Sequence, residues 1–405
     1  MAYRVQILII IFYFIVSCRT NPGMNWEKAT LLLDKILINY QNGVVPIFEN
    51  KAVEIKTSIV MNNMLPLEDT PQHFSLDFTL RMVWNDKRLV FNEVNHDVYI
   101  PLYAELSKRI WIPSIYFPLG KKGTFHDLLA RNVFVFIYGN GTVKFTQRLR
   151  ILSFCPMNFN FYPFDIQECN FKLSTFPKSS DYVRLNWSDV PIEGSKKNLH
   201  IPDYNEVKIT TNSTTEAGDF DMTYDVLVVT FILHRDFSAH FIQSYFPCIL
   251  IVGLSWVSFF VNYKAIPGRV SFGINTFLAI VYMTNSIRLT APISKNLRSL
   301  DYYMLFCMIF VFGVLFEYAL VGITDPDFSL SWRIKKKKNL DVSGASESSC
   351  EKKVTFGPIV FNTGDQHVID NCSKIVFPLA FLFFNVLYFV YHNVHPETVK
   401  RFTAW

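Results

Sequence analysis

Residues 155–169 read Cys-Pro-Met-Asn-Phe-Asn-Phe-Tyr-Pro-Phe-Asp-Ile-Gln-Glu-Cys. Two cysteines enclose 13 residues that are rich in aromatics and hold one acid before Glu168, Asp165. Whether such a pair is oxidised depends on its compartment, so the flanking sequence decides. Residues 1–18 open with Arg4, run apolar from Val5 to Val16, and close Val16-Ser17-Cys18. That is the order of a secretory signal peptide, cut near Cys18, and it carries the mature chain out of the cytosol. Of the seven cysteines, Cys18 leaves with the signal, Cys248 and Cys307 fall inside apolar runs, and Cys350 and Cys372 lie in a segment that the topology assigns to the cytosol. Cys155 and Cys169 remain as the extracellular pair, and an oxidising compartment favours their disulfide.

Composition points to a membrane. Half of the 405 residues are apolar and 18% are charged, against roughly 25% charged in soluble domains. A disordered or fibrous chain is excluded. Four long uncharged runs come after residue 236. About 21 residues of the first, Phe241–Val261, span about 31 Å as a helix, the thickness of a hydrocarbon core. Val270–Ile287 is the second, Tyr302–Ile323 the third, broken by Glu317, and Ile375–Val394 the fourth. With the N-terminus outside, four spans return the C-terminus outside. The gap between the third and fourth then faces the cytosol, and its Arg333 and Lys335–Lys338 obey the positive-inside tendency. The expected domains are a signal peptide at 1–18, an extracellular domain at 19–236, three spans in 237–323 with a pore-lining helix at about 270–288, a cytosolic loop at 324–374, and a fourth span with a short extracellular tail at 375–405.

Residues 19–236 have another character. Trp26–Ile38 reads as one amphipathic helix. Short alternating segments come next at Glu54–Met61, Phe74–Val83, Val133–Ile137, Thr142–Ile151, Val207–Thr211 and Thr223–Leu233, parted by turns such as Gly139-Asn140-Gly141. This pattern predicts an antiparallel β-sandwich. Three glycosylation sequons begin at Asn140, Asn186 and Asn212. A fourth, at Asn371, falls on the cytosolic side and stays bare.

The second run carries a pattern of its own. Ser271, Asn275, Leu278, Tyr282 and Asn285 recur at steps of 4, 3, 4 and 3, one stripe of a helix. Polar residues on a membrane helix face protein or water. The stripe is either the wall of a water-filled path, with Leu278 as an apolar constriction, or a packing face on which Ser and Asn join helices. From Lys264 to Leu300 there is no acid, while Lys264, Arg269, Arg288, Lys295 and Arg298 are basic.

The stretch 155–169, and above all Phe161-Tyr-Pro-Phe-Asp165, resembles the signature of the Cys-loop receptors, the pentameric ligand-gated ion channels. Trp84-Asn-Asp-Lys-Arg-Leu89, Trp111-Ile-Pro113 and Ser255-Trp-Val-Ser-Phe259 agree. The likeness runs from about residue 26 to the end, the cytosolic loop excepted, and is nearest to the glycine and GABA receptor branch. It implies an extracellular β-sandwich with an N-terminal helix, then a four-helix transmembrane bundle, with five identical or homologous subunits round a central pore. It implies a plasma-membrane, synaptic protein that meets a small-molecule neurotransmitter, chloride ions and membrane lipid. It also favours the pore reading of the stripe. Ile266-Pro267-Gly268-Arg269 resembles the Pro-Ala-Arg turn of anion channels, with Gly268 in place of Ala. Arg269 and Arg288 then place positive rings at the two mouths, and such rings draw anions.

The resemblance also implies an agonist site between subunits. The principal side offers Tyr116, Phe176, Phe220 and Tyr224, whose faces attract an ammonium group. The complementary side offers Thr79, Arg81 and Thr146, with Arg148 as a second arginine. A guanidinium can bond both oxygens of an agonist carboxylate; otherwise Arg81 pairs with Asp77 or Glu93 on a sheet face. Ser174 stands where GABA-binding subunits carry a Glu for the amine. Glu216, Asp219 and Asp221 are candidates to replace it. An amino acid such as GABA or glycine is the first choice of agonist, a monoamine or acetylcholine the second, and a subunit without its own agonist the third. At the membrane face the resemblance brings together the loop 155–169, the linker Leu289–Leu300, Arg235 and a turn near Pro66–Asp69. Asp165 is the natural partner of Arg235, and Pro163 a candidate for a cis peptide bond.

Other classes find no support. There is no His-Glu-x-x-His, Gly-x-Ser-x-Gly or glycine-rich phosphate loop, so neither an enzyme nor a cofactor or metal site is expected. A transporter would repeat its broken helices. The short basic run beside a membrane does not suit nucleic acid.

Overall fold

The computed structural model describes residues 26–394, apart from 69–71, 92–98, 128, 176–178, 195–200, 202, 219–221, 262–264, 325–353, 357–358 and 362–365. The expected signal peptide, the basic run at 335–338 and the C-terminal tail lie outside the described residues. So do Glu93, Phe176, Asp219, Phe220, Asp221 and Lys264. Among the described residues the chain packs as two compact units, one within Met1–Met157 and Gln167–Leu233, the other within Asn158–Ile166 and His234–Trp405.

The first unit opens with a helix, Trp26–Leu37, whose Ala29, Leu32 and Leu33 are buried. Eleven strands come after it among the described residues: β1 (Val53–Glu68), β2 (His73–Asn85), β3 (Tyr99–Tyr103), β4 (Ile115–Tyr116), β5 (Gly120–Phe125), β6 (Val133–Tyr138), β7 (Thr142–Phe154), β8 (Ile166–Thr175), β9 (Val183–Glu193), β10 (Tyr204–Ala217) and β11 (Thr223–Arg235). One sheet runs β3-β6-β7-β2-β1-β9, with β5 also on β7; the other runs β10-β11-β8-β4. In β2 every second residue from Phe74 to Trp84 is buried, the period-two signature of a sheet with one face on a core. The larger sheet is antiparallel, as expected, except at one ladder. β9 pairs with β1 in parallel, from Val53 opposite Val183 to Val60 opposite Glu193. β9 comes directly after β8, which belongs to the other sheet, and such a crossover frees the direction of pairing.

Two sequence motifs converge here. Trp84 and Trp111 meet edge to face at 5.8 Å. The Tyr40 hydroxyl donates to Asp86 Oδ2 at 2.7 Å and accepts from the Trp111 N–H at 3.0 Å. Arg88 closes the cluster with two bonds to the buried Asp86 carboxylate, at 2.9 and 2.8 Å. Burial foremost pushes the Tyr40 hydroxyl above its ordinary range, and Asp86 adds to it. The Cys155–Cys169 disulfide is formed.

Among the described residues the second unit holds four helices long and apolar enough to cross a membrane. The first, Phe237–Phe260, is not uniform: it passes through a π turn at Phe241–Tyr245 and ends in a 3-10 turn at Trp256–Phe260. Pro247 lies just past the π turn and lacks the N–H an α-helix would use there. The second helix is Ile266–Thr290, with Pro267 in its first turn, where a missing N–H costs nothing. The third is Ser299–Thr324 and the fourth Gln366–Val394. The fourth begins nine residues before the expected span, so Asn371 sits exposed on it. A two-stranded ladder, Val354–Phe356 with Ile359–Phe361, stands in the segment read as loop.

Candidate functional site

The outer face of the larger sheet gathers the expected complementary residues. Arg81 lies directly opposite Thr146, and Thr79 opposite Arg148. Opposed residues point to the same face, so all four share it, with Asp77 opposite Arg150. Arg148 is engaged: it donates to both Asp77 oxygens at 3.0 Å, and Arg150 stands 3.6 Å away. Burial works to raise the Asp77 carboxyl, but the hydrogen bonds and charge of Arg148, with the charge of Arg150, hold it below its ordinary range. Arg81 does not pair with Asp77, as the sheet-face alternative proposed. Its Nη1 bonds Glu193 Oε2, from the last residue of β9. Glu193 was not among the sequence candidates. Thr79 Oγ1 accepts from Asn62.

On the smaller sheet, Tyr116 lies opposite Ser174 and is exposed. Ser174 is buried, and its hydroxyl donates to the Asp225 carbonyl at 3.1 Å. Tyr224 is half-buried and donates to Met222 Sδ at 3.7 Å. Glu216, a candidate for the amine, is held by Lys172 at 2.6 Å instead. Its position opposite a lysine two strands away could not be read from the hairpin alone. Asn140, Asn186 and Asn212 are all exposed.

In the second unit, one side of the helix Ile266–Thr290 is buried: Arg269, Gly273, Thr276, Ile280, Thr284 and Ile287. At Gly273 a Cβ would stand 2.3 Å from Leu315 Cδ2, so glycine lets the third helix approach. Ser271, Asn275, Leu278, Tyr282 and Asn285 are all exposed on the other side, with Pro267 and Gly268 below them. The stripe is therefore not the face packed within this subunit. Arg288 is exposed and lies 3.8 Å from Asp301, which Arg298 bonds at 2.9 and 3.1 Å. Arg269 departs from expectation. Its side chain is buried on the packed side, bonded to the carbonyl of Val261 and, at 3.4 Å, of Phe259. Two residues turn a helix by roughly 200°, so Arg269 cannot share the face of Ser271. It closes the 3-10 end of the first span and does not present its guanidinium on the stripe.

Loop residues 158–166 pack among the helices. Asp165 and Arg235 form a bidentate pair at 2.8 and 3.2 Å, each side chain 2% exposed. The Arg235 guanidinium also lies 4.9 Å over the Tyr162 ring. The Tyr162–Pro163 peptide is cis. Phe164 stacks on Phe237 at 4.5 Å and meets Tyr388 and His392 of the fourth helix. The third helix starts against this loop: the N–H groups of Ser299 and Leu300 donate to the carbonyls of Asn160 and Tyr162 at 2.9 and 3.2 Å. Asn296 of the linker donates to Asn160 Oδ1. Of the expected turn near Pro66–Asp69, Pro66–Glu68 belong to the end of β1 and Asp69 lies outside the described residues.

Comparison with known proteins agrees with this architecture. The neurotransmitter-gated ion-channel ligand binding domain matches residues 29–237, and the neurotransmitter-gated ion-channel transmembrane region matches residues 244–343. Among similar proteins is a glutamate-gated chloride channel of Drosophila melanogaster, 28% identical over 93% of this chain and 95% of its own. An acetylcholine-gated chloride channel subunit of Caenorhabditis elegans is 27% identical over 93% and 88%. The gamma-aminobutyric acid receptor subunit alpha-6 of Gallus gallus is 28% identical over 93% and 91%. Together the disulfide-closed loop, the β-sandwich, the four spans and these matches place the chain in the neurotransmitter-gated ion-channel family, the Cys-loop receptors, as a multi-pass plasma-membrane subunit of a ligand-gated ion channel and not an enzyme.

Proposed function

We propose that this subunit forms a chloride-selective channel opened by an amino acid, such as GABA or glycine, bound outside the membrane between adjacent subunits of a pentamer. One observation carries the selectivity: the exposed stripe of the second helix bears Ser, Asn, Leu and Tyr and no acid, with Arg288 exposed at its outer end. Five copies of Arg288 make one mouth positive, and rings of arginine favour anions. Arg269 adds positive charge from behind the pore wall at the other mouth. Leu278 is the constriction, able to close by dewetting.

For the agonist, Arg81 supports a carboxylate anchor: its side chain is 43% exposed on a sheet face, next to Thr146 and Thr79. Tyr116 and Tyr224, with Phe176 and Phe220, supply the aromatic side of the adjacent subunit. Binding is conveyed to the pore through the Asp165–Arg235 pair and the loop around Pro163, which caps the third helix beside the linker. Asn140, Asn186 and Asn212 carry glycans.

A second reading, a monoamine- or acetylcholine-gated chloride channel, draws on the exposed Tyr116 beside Ser174, an aromatic face with no acid at that position. Voltage-clamp recording from the chain expressed alone separates these. GABA, glycine, glutamate, acetylcholine and monoamines are applied in turn, and external chloride is then lowered. A current evoked by an amino acid, with a reversal potential that tracks chloride, is the expected result. A reversal that tracks sodium would falsify the selectivity. Silence from surface-expressed protein would assign the chain to a heteromeric role.

A further inference from the structure

We propose that Glu193 determines agonist specificity: with Arg81 it forms a charge pair that admits zwitterionic amino acids and turns away bare carboxylates. This rests on the reading of Arg81 as the carboxylate anchor.

The two residues are 112 positions apart in sequence and meet because β9 lies parallel to β1. Glu193 stands opposite Val60, and Val60 opposite Thr79 of β2, so the carboxylate reaches Arg81 across one strand. The root of Glu193 is fixed. Gly194 has φ +122°, and a Cβ there would stand 2.9 Å from the Met61 carbonyl oxygen. Only glycine takes that conformation readily, and it holds the end of β9 against β1. Both side chains are open to a ligand, at 43% and 41% exposure. Arg148 and Arg150 share Asp77 on the same face, so Arg81 is the arginine whose partner lies in the accessible zone.

The chemistry is one of charge. A guanidinium has five N–H donors, and the contact with Glu193 leaves others for a second carboxylate. A bare carboxylate arriving there sits beside the like charge of Glu193, which is unfavourable. An amino acid brings its own cation. Its carboxylate takes Arg81 and its ammonium takes Glu193, so the four charges alternate. On the described part of the opposite face the acid expected for the amine is absent: Ser174 is bonded to a backbone carbonyl, and Glu216 is held by Lys172.

The test uses full-length receptor at the cell surface and whichever of glycine or GABA opens it, with acetate or butyrate as the deaminated competitor. EC50 is independent of expression level, so it is the readout. In Glu193→Gln the amino-acid EC50 should rise about tenfold or more, the loss of a charge-assisted bond. The inhibition constant of the deaminated acid should fall several-fold in the same variant. Glu193→Asp should keep the preference for the amino acid. An unchanged or lower amino-acid EC50 in Glu193→Gln, or no gain by the deaminated acid, overturns the proposal. Arg81→Gln is the control for the reading beneath it: if it leaves EC50 unchanged, Arg81 is no anchor and the proposal falls with it. If it removes the response while Glu193→Gln does nothing, the anchor stands and the filter alone fails.

Discussion

Replacing Asp165 with Asn tests how the loop 158–166 is held. The wild-type pair has two hydrogen bonds and both side chains almost wholly out of water. An exposed pair would be worth at most about 1 kcal/mol. Removing one partner of a buried pair leaves an uncompensated charge and costs about 3–5 kcal/mol. Arg235 keeps the Tyr162 ring and its other neighbours against that cost. At roughly 2–4 °C per kcal/mol for units of this size, the thermal midpoint should fall by at least about 6 °C. The assay is thermal unfolding of detergent-extracted receptor, with surface biotinylation and agonist-evoked current alongside. Current should be lost in Asp165→Asn and in Arg235→Gln. The double variant Asp165→Leu with Arg235→Met removes both charges and should recover much of the midpoint, because an apolar pair has no stranded charge. With the single variants Asp165→Leu and Arg235→Met completing that cycle, coupling between the two positions should exceed about 0.5 kcal/mol. A midpoint in Asp165→Asn within about 2 °C of wild type, with normal current, would refute the reasoning.

Other measurements bear on the pore and the sheet. Leu278→Ser should leave current flowing without agonist, because hiding a leucine from water favours the closed gate by about 1.5–3 kcal/mol per side chain; the resting leak, blocked or not by removal of chloride, is the readout. Asp77 has a depressed folded-state pKa, so its contribution is present above the unfolded carboxylate value and is lost as pH falls through the folded one. The extracellular domain should therefore lose stability to acid only below about pH 4 from this source, and the gap in thermal midpoint between wild type and Asp77→Asn should close there.

Much of the fold was legible because periodicity is local. Phe74–Trp84 alternates, and the four apolar runs are long. Element ends were less so. β1 and β10 run well past their alternating cores, since a ladder continues wherever a neighbour supplies partners. β5, Gly-Lys-Lys-Gly-Thr-Phe, has no apolar pattern and exists only through β7. The stripe of Ser271, Asn275, Leu278, Tyr282 and Asn285 was legible from helical spacing, while its reading as a pore wall drew on the resemblance. The placement of Arg269 was also within reach, since its angle from Ser271 is simple arithmetic, but counting charges does not say which way they face. The Arg81–Glu193 contact was beyond reach: it depends on a parallel ladder between strands that nothing in the local sequence joins.

The hydrogen bonds from Ser299 and Leu300 to Asn160 and Tyr162 bear on biogenesis. A helix normally caps its first N–H groups with side chains just upstream. Here the third span borrows its cap from a segment made 139 residues earlier. During synthesis that segment is already in the lumen when the third span emerges. A chain whose loop has not closed presents the span with bare donors at its outer end. Completion of the third helix's first turn is thus tied to the closure of a loop that lies 139 residues upstream.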